Sequence, residues 1–266
     1  MKQVVKPVLA RPWVNIRQLR ETQAPWLTAE KMAYAKNSVF GRQVLGNRVV
    51  VSDTLGEHHS RWPQVAVVGI SNVGKSTLLN ALMHGTAKVA EPHSNKKKFQ
   101  SPIVAPTSTK AGRTRHLFRF DLADRLALVD LPGYGFTHAP RKAKSMEREM
   151  AVLIERYIME TPSLRRVMCL VDATQGVSPL DEQVFDLIIS ERRTLQIVLT
   201  KVDSTTPHQL HSAMAGAVNA ALQFDAAHTW PYIHGVSALK GHGMDELRCS
   251  IASIAWDARV AAGLKP

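Results

Sequence analysis

An eight-residue segment places two glycines, a lysine and a serine at a spacing that suits the binding of phosphate groups. The segment, GISNVGKS from Gly69 to Ser76, fits the pattern G-x-x-x-x-G-K-[ST]. It follows the apolar run 65–69, a predicted buried strand, and it opens a predicted helix that ends near His84. Backbone N–H groups that turn inward between glycines, together with a helix N-terminus, form a site for an anion. The segment therefore predicts a nucleoside triphosphate site and leaves adenine and guanine undecided.

The side chains of this segment add charge and a metal ligand to the predicted site. The Lys75 ammonium can reach the β- and γ-phosphates, and the Ser76 hydroxyl can ligate magnesium. A glycine loop that binds no nucleotide is the structural alternative, and the strand-to-helix context disfavours it. The predicted nucleotide contacts in this segment are Gly69, Ser71, Asn72, Val73, Gly74, Lys75, Ser76 and Thr77.

A further candidate site residue, Asp130, ends the apolar run RLALVD and begins the sequence DLPG. If that run is a strand of the same parallel sheet, its end lies beside the glycine-rich segment. A carboxylate there can hold a magnesium-bound water, and the Gly133 backbone N–H can turn toward a γ-phosphate. We therefore predict that Ser76 and Asp130 serve the metal, and that Lys75 and Gly133 serve catalysis.

Two further strand ends carry residues that could choose the base. TKVD, 200–203, ends the apolar run LQIVLT, and the Asp203 carboxylate only accepts hydrogen bonds. Guanine presents two donors on one edge, whereas adenine would present an acceptor to the same carboxylate. The Lys201 stem can cover the base, and the Ala238 backbone N–H can meet the guanine oxygen. The pattern favours guanine, with predicted contacts from Thr200, Lys201, Asp203, Ser237, Ala238 and Leu239.

Alternating apolar runs and amphipathic stretches from residue 65 onward predict the elements that position these residues. The short link Ala123-Asp124 predicts a hairpin, which makes one edge of the sheet antiparallel. The expected fold is a three-layer α/β P-loop NTPase G domain with a mostly parallel, six-stranded sheet. Beyond the first strand and helix, the predicted strands are 115–121, 125–130, 166–171, 194–200 and 232–237, and the predicted helices are 144–160, 179–191, 207–222 and 243–262.

The composition excludes some classes of protein and indicates a polyanionic partner. The chain has 266 residues, 45% of them hydrophobic, and a formal net charge of +12 with a pI of about 10.0. So large a positive charge favours RNA as a partner, although a generally basic surface without such a partner would give the same net charge. Only two cysteines occur, without a C-x-x-C pattern, so we expect reduced thiols. No apolar run reaches the roughly 18 residues of a membrane span, and no membrane partner is expected.

Two basic segments stand outside the alternating pattern, and they define the predicted domain organisation. We predict a basic N-terminal extension at 1–60 and a G domain at 61–263 with a basic insertion at about 86–111. Residues 1–20 contain five basic and no acidic residues, the charge bias of a mitochondrial presequence. A basic arm that remains attached and contacts a partner is the alternative.

Taken together, these motifs resemble the translation-factor-related GTPases and, among them, the EngB family of ribosome-assembly GTPases. The resemblance covers about residues 62–255, and the sequence DLPGYG within it is particular to this family. It implies a GTP-binding protein that hydrolyses GTP to GDP and phosphate with Mg²⁺ during maturation of the large ribosomal subunit. The matching segments are SNVGKSTLLNAL (71–82), GRT (112–114), VDLPGYGF (129–136), VDATQGVSPLD (171–181), TKVD (200–203) and SALKGHGMDEL (237–247).

The resemblance also implies residue roles, partners and a location. Thr114 matches the family's switch threonine, which closes over magnesium in the GTP state, so it joins the metal and catalytic residues. Ile70 and Lys110-Ala111 depart from the family pattern. The implied partners are GTP or GDP and the rRNA and proteins of a large-subunit precursor, with the protein monomeric off the ribosome. The enlarged loop and leader suit a mitochondrial ribosome, with a cytoplasmic location as the alternative.

The residue after the DLPG glycine bears on the rate of hydrolysis. Ras-like proteins carry a glutamine there that orients the attacking water, whereas this chain carries Tyr134, so slow intrinsic hydrolysis is expected. In related GTPases a potassium ion (K⁺) near a phosphate-loop asparagine supplies positive charge, and Asn72 matches that asparagine. A role for Asn72 in bracing the loop is the alternative. The competing functions are a nucleotide-dependent RNA-binding scaffold with little catalysis and a GTPase of another translation-linked pathway.

Overall fold

Helices and strands alternate along most of the chain, as the apolar patterning predicts. The computed structural model describes residues 11–19, 21–41, 51–52, 62–85, 117–134, 141–224 and 226–266. The strands are β1 (Trp13–Asn15), β2 (Val51–Ser52), β3 (Gln64–Gly69), β4 (Phe118–Leu122), β5 (Leu126–Asp130), β6 (Leu164–Asp172), β7 (Leu195–Thr200) and β8 (Tyr232–Gly235). The α-helices are α1 (Ala29–Tyr34), α2 (Lys75–His84), α3 (Arg141–Glu160), α4 (Pro179–Ser190), α5 (Pro207–Leu222) and α6 (Met244–Ala261). A π-helical turn (Ala35–Val39) extends α1, and a 3₁₀ turn (Val202–Ser204) follows β7.

The strands of the described part of the chain form one sheet in the order β1-β8-β7-β6-β3-β5-β4-β2. The five central strands, from β8 to β5, are parallel, whereas the pairs β1 with β8, β4 with β5 and β2 with β4 are antiparallel. The mostly parallel sheet is therefore confirmed, but the sheet has eight strands rather than six, and both edges are antiparallel. The two additional strands come from the N-terminal segment. At three and two residues, β1 and β2 are too short to show a period in the sequence.

Two apolar layers, one on each face of the sheet, hold the helices in place. Successive residues of β3 alternate between the layers: Val65 and Val67 belong to one, and Ala66 and Val68 to the other. The first layer receives apolar residues of α2, α6 and the N-terminal segment, and the second receives those of α3, α4 and α5. The three-layer α/β architecture predicted from the sequence is confirmed.

The predicted hairpin joins β4 to β5. Ala123 and Asp124 have φ angles of 56° and 52°, and the Arg125 N–H donates to the Leu122 carbonyl at 3.0 Å. Two successive left-handed residues inside such a turn form the type I′ connection that matches the twist of two antiparallel strands. The antiparallel position of β4 follows from this turn.

Two helices begin at their predicted residues because their first turns are capped. Ser178 and Asp181 form a capping box at the start of α4, and Thr206 and Gln209 form another at the start of α5. A proline follows each cap, where its missing N–H costs no hydrogen bond. Each cap contributes about 1 kcal/mol to the stability of its helix start.

The N-terminal segment is packed into the domain. The strand β1 lies beside β8, and the rings of Trp13, Trp26 and Tyr232 pack edge to face with centroids 5.8, 5.6 and 5.4 Å apart. Residues 11–19 and 21–41 of the predicted extension thus belong to the same folded unit as the strands of the predicted G domain.

Much of the predicted basic sequence lies outside the described residues. This applies to residues 1–10 of the extension and to the whole basic insertion at 86–111, including Lys96, Lys97 and Lys98. In the part of the chain that the structure describes, no helix is long and apolar enough to cross a membrane.

Trp26 provides a test of whether the N-terminal segment contributes to the stability of the fold. Its surface is only 3% exposed, and the change Trp26→Ala should leave a cavity against β8. We expect the free energy of unfolding in urea to fall by about 3–5 kcal/mol. Leu19→Ala, in the same segment but 45% exposed, is the control and should change it by less than about 0.5 kcal/mol. Equal unfolding midpoints for Trp26→Ala and the wild type would contradict this packing.

Candidate functional site

Three parallel strands end at one edge of the sheet. Gly69 ends β3, Asp130 ends β5 and Thr200 ends β7. In parallel α/β sheets, ligands bind in the crevice outside the carboxyl ends of the strands. The predicted phosphate, magnesium and base residues that begin at these strand ends are therefore brought to the same edge.

The phosphate loop, Gly69–Ser76, has a backbone that requires glycine at two positions. A Cβ atom on Gly69 would lie 2.8 Å from the Leu170 carbonyl oxygen and 2.9 Å from Val73 Cγ1. Gly74 has a φ of +105°, a backbone conformation that residues with a side chain rarely adopt. The first glycine lets the loop pack against β6, and the second turns the chain into α2.

The helix α2 begins at the phosphate loop with its N-terminus free of side-chain capping. Its cap residue is Gly74, which makes no side-chain hydrogen bond. The first bond along the helix runs from the Leu78 N–H to the Gly74 carbonyl at 2.8 Å, so the preceding N–H groups have no intrahelical partner. These donors and the helix dipole give the loop the electrostatics of an anion site.

The Lys75 ammonium lies between the phosphate loop and the DLPG segment. Its Nζ atom is 3.4 Å from the Gly69 carbonyl, and a Cβ atom on Gly133 would lie 2.9 Å from it. Burial lowers the pKa of Lys75, and the charge of Asp130 opposes that shift. Because 3.4 Å is long for a hydrogen bond, the ammonium retains capacity for a stronger acceptor such as a phosphate oxygen.

The Asp130 carboxylate is fully buried at the end of β5. Neither of its oxygens has a hydrogen-bond partner among the described residues. Burial raises the pKa of Asp130 to about 6, and the charge of Lys75 limits that rise. A buried carboxylate without a donor is costly, so this side chain is suited to a ligand that brings donors or positive charge.

The donors at this position fit magnesium. The Ser76 hydroxyl and the Asp130 carboxylate supply the hard oxygen ligands that Mg²⁺ takes, directly or through a water. Within the described ranges, no group of three His, Cys, Asp or Glu side chains could hold a metal alone. A single carboxylate suits an ion that keeps water and phosphate oxygens as its other ligands.

The DLPG segment is joined to the phosphate loop by its backbone and to α4 by a side chain. The Ser71 N–H donates to the Tyr134 carbonyl at 3.0 Å, and Ile70 forms a parallel bridge with Tyr134. The Tyr134 hydroxyl donates to Asp181 Oδ1 at 2.6 Å, and burial raises the pKa of this hydroxyl. Tyr134 is thus committed to a buried hydrogen bond at the start of α4.

The end of β7 supports the phosphate loop from the other side. The Thr200 hydroxyl donates to the Val73 carbonyl at 2.8 Å. Lys201 adopts a left-handed conformation, with φ of 55°, and its Nζ lies 2.8 Å from the Asn72 carbonyl and 2.7 Å from Asp172 Oδ2. The TKVD lysine is therefore held across the outer side of the phosphate loop.

The two predicted base-reading segments are neighbours. The Val202 N–H donates to the Val236 carbonyl at 3.3 Å, which links TKVD to the SALKG segment. Ser237 is fully buried, and its hydroxyl accepts from the Lys240 N–H at 3.0 Å. Asp203 and Leu239 are exposed beside them. Ser237 thus shapes the loop that carries Ala238, while the Asp203 carboxylate remains accessible to a ligand.

The structure brings most of the predicted site residues together, and it adds two that the sequence reasoning missed. Thr114, the predicted switch threonine, lies outside the described residues. The missed residues are Asp172, which pairs with Lys201, and Asp181, which pairs with Tyr134. Asp172 ends an apolar strand as Asp130 does, and this shared pattern could have identified it.

Comparison with known proteins identifies the family. A sequence profile described as 50S ribosome-binding GTPase matches residues 64–201. A probable GTP-binding protein EngB from Granulibacter bethesdensis is 38% identical over 191 residues, which cover 72% of this chain and 76% of the relative. One from Hyphomonas neptunium is 39% identical over 195 residues, covering 72% and 79%. The chain belongs to the EngB family of GTP-binding proteins.

The fold agrees with this assignment. The crystal structure of a probable GTP-binding protein EngB covers 73% of this chain and 99% of its own, with a TM-score of 0.51 and 18% identity. At that identity the similarity shows the fold alone. Family membership and the matching profile show that this EngB chain is a GTPase with a P-loop domain, as its motifs predicted.

The pKa of Asp130 provides a test of the buried carboxylate. In the folded protein that pKa is about 6, against roughly 3.9 in an unfolded chain. Below pH 4 the group is neutral in both states, and above pH 6 the folded protein holds a buried charge. Without magnesium and nucleotide, the free energy of unfolding of the wild type should fall on the order of 3 kcal/mol relative to that of Asp130→Asn as pH rises from 4 to 7.

Urea unfolding of both proteins across this pH range measures the difference. Asp186→Asn, a change at an exposed position of α4, controls for the loss of a carboxylate in general and should run parallel to the wild type. A stability difference between wild type and Asp130→Asn that does not change with pH would contradict the buried, unpartnered state.

Proposed function

We propose that this EngB protein binds GTP with magnesium at this sheet edge, hydrolyses it to GDP and phosphate, and acts in maturation of the large ribosomal subunit. The observation that carries the proposal is the meeting of an anion-binding loop, a buried unpartnered carboxylate and two base-reading segments at one strand edge. The first two suit a magnesium-bound triphosphate, and the third suits guanine.

The base would be read by the exposed carboxylate of Asp203. It accepts from the ring N–H and the exocyclic amine of guanine, while the Ala238 N–H donates to the guanine oxygen. The buried Ser237 hydroxyl fixes the loop that presents this N–H. Adenine does not present this pair of donors at that edge, so the arrangement favours GTP over ATP.

The phosphates would be held by the phosphate loop and Lys75. The N–H groups at the start of α2 and the Lys75 ammonium donate to β- and γ-phosphate oxygens, and the Gly133 N–H donates to the γ-phosphate. Ser76, Asp130 and Thr114 are the residues proposed to hold magnesium, Asp130 through a water. When bound, the ion neutralises charge on the phosphates. The Lys75 ammonium and the Gly133 N–H would stabilise the negative charge that develops on the phosphate oxygens as water attacks.

Intrinsic hydrolysis should be slow because Tyr134, the residue after Gly133, cannot orient water as glutamine does. Tyr134 donates its hydroxyl proton to Asp181, away from that task. We place a potassium ion near Asn72, where it would supply the missing positive charge. Asn72 is exposed, so its side chain is accessible to an ion, and its backbone is left-handed with φ of 66°.

Potassium dependence can be measured directly as steady-state GTP turnover. Replacing sodium by potassium at constant ionic strength should raise the rate, and Asn72→Ala should abolish the increase while GDP affinity stays within about threefold. Equal turnover in the two salts would assign Asn72 to bracing of the loop.

The ribosomal part of the proposal is supported by family membership and by charge. The matching profile is that of 50S ribosome-binding GTPases, and the net charge of +12 suits an rRNA partner. We assign rRNA contact to the basic insertion at 86–111, with its lysines 96–98, and we propose a monomer off the ribosome. The charge bias of residues 1–20 supports a mitochondrial location, with the cytoplasm as the alternative.

A nucleotide-dependent RNA-binding scaffold is the competing function, and the two differ in turnover. Purification of tagged wild type with GTP, and with a non-hydrolysable analogue, should recover large-subunit precursors, with more retained by the analogue. Lys75→Ala should lose both recovery and turnover, because it removes the phosphate-binding ammonium. Sequencing of the recovered rRNA identifies mitochondrial or cytoplasmic particles. Full recovery with Lys75→Ala would contradict a nucleotide-controlled cycle.

A further inference from the structure

Asp172, a buried residue that was not among the predicted site residues, accepts a hydrogen bond from the lysine of the TKVD motif. Asp172 is the last residue of β6, is 3% exposed, and pairs in register with Thr200 of β7. Its Oδ2 atom accepts from Lys201 Nζ at 2.7 Å. The parallel register places the carboxylate one residue away from the lysine along the neighbouring strand.

Both oxygens of this carboxylate are occupied. Oδ1 accepts from the Thr174 N–H at 2.9 Å and from the Thr174 hydroxyl at 2.7 Å. Burial alone would raise the pKa of Asp172, but the hydrogen bonds from Lys201 and Thr174 outweigh it and hold that pKa below its ordinary value. The carboxylate is therefore ionised and fixed in orientation before any ligand arrives.

The lysine is held at two points. Its Nζ atom also donates to the Asn72 carbonyl of the phosphate loop at 2.8 Å, while its side chain remains 40% exposed. A lysine side chain has four rotatable bonds, and anchoring its tip leaves the stem few conformations. The anchored stem spans from the end of β7 to the phosphate loop, which is the strip a base must lie against if Asp203 reads its edge.

We infer that Asp172 is a positioning residue for nucleotide affinity, which fixes the Lys201 stem as a preformed platform for the base and ties it to the phosphate loop. The inference rests on the proposed function, since it assumes that a guanine nucleotide binds here. Asp172 itself does not contact the nucleotide. Its effect on affinity passes through Lys201, and this separates it from Asp203, which reads the edge of the base.

The different roles of Asp172 and Asp203 predict different effects on the affinities for two diphosphates that differ in their base. The platform covers the face of any purine, so weakening it should lower the affinities for GDP and for inosine diphosphate by the same factor. Inosine lacks the exocyclic amine of guanine, so a change at Asp203 should instead alter the ratio of the two affinities. The ratio therefore reports whether a residue acts on the face or on the edge of the base.

The test measures both affinities by titration calorimetry for the full chain with magnesium. Asp172→Asn should weaken both diphosphates about tenfold with an unchanged ratio, and it should cost nothing further in a Lys201→Met background. Glu160→Gln is the matched control, because it breaks an exposed ion pair with Arg156 at the C-terminus of α3. It should bind both diphosphates as the wild type does.

Thr174→Val provides a second variant at an exposed position, where folding is not at risk. It removes one hydrogen bond from Asp172, and it should weaken both diphosphates about threefold in the wild type and not at all in Lys201→Met. Wild-type affinity in Asp172→Asn, or in Thr174→Val if the first variant does not fold, would overturn the inference. So would an equal loss in the Lys201→Met background. Failure of wild-type protein to bind GDP would instead overturn the proposed function.

Discussion

Burial of an ammonium and a carboxylate at the end of a parallel sheet is the constraint on which the rest of the site depends. Lys75 and Asp130 both leave water on folding, and burial moves the pKa of each toward the neutral form. The described protein supplies neither with a strong hydrogen-bonding partner: the Lys75 ammonium has a carbonyl at 3.4 Å, and the Asp130 oxygens have none. A magnesium-bound triphosphate would supply both, so ligand binding and stability are coupled at this position.

The surrounding structure keeps these two charges in place without adding side chains that would compete with a ligand. Glycines at 69 and 133 leave room for the backbone and the Lys75 ammonium, since a Cβ atom at either would lie within 3 Å of a neighbour. Two buried aspartates, Asp172 at the end of β6 and Asp181 in the first turn of α4, then hold side chains on either side of the site. Asp172 holds Lys201 on the base side, and Asp181 holds Tyr134 on the phosphate side. The segment between these aspartates therefore links the two ends of the site.

The parts of the structure that could be predicted from the sequence are those that a local rule determines. The capping boxes at Ser178 and Thr206 and the left-handed turn at Ala123-Asp124 depend on neighbouring residues only, and those boundaries were predicted closely. The glycine and lysine of the phosphate loop were also identified, because their spacing alone determines their role.

Contacts between residues far apart in the chain could not be predicted from the sequence. The strand β1 is three residues long and exists because it pairs with β8, more than 200 residues later, and the hydrogen bond from Tyr134 to Asp181 crosses 47 residues. No periodicity or motif encodes such pairings. Asp172 could have been found as a strand-end carboxylate, but its partner Lys201 is set by the register of β6 against β7.

A swap of hydrogen-bonding groups tests the guanine-specific site at this edge most directly. Xanthine carries a carbonyl where guanine carries its exocyclic amine, so an asparagine at position 203 can pair with it while a carboxylate cannot. Calorimetry with GDP and xanthosine diphosphate should show wild-type protein favouring GDP by about 100-fold and Asp203→Asn favouring xanthosine diphosphate. Unchanged preference for GDP in Asp203→Asn, or no binding of either diphosphate by the wild type, would contradict a guanine-specific site at this edge.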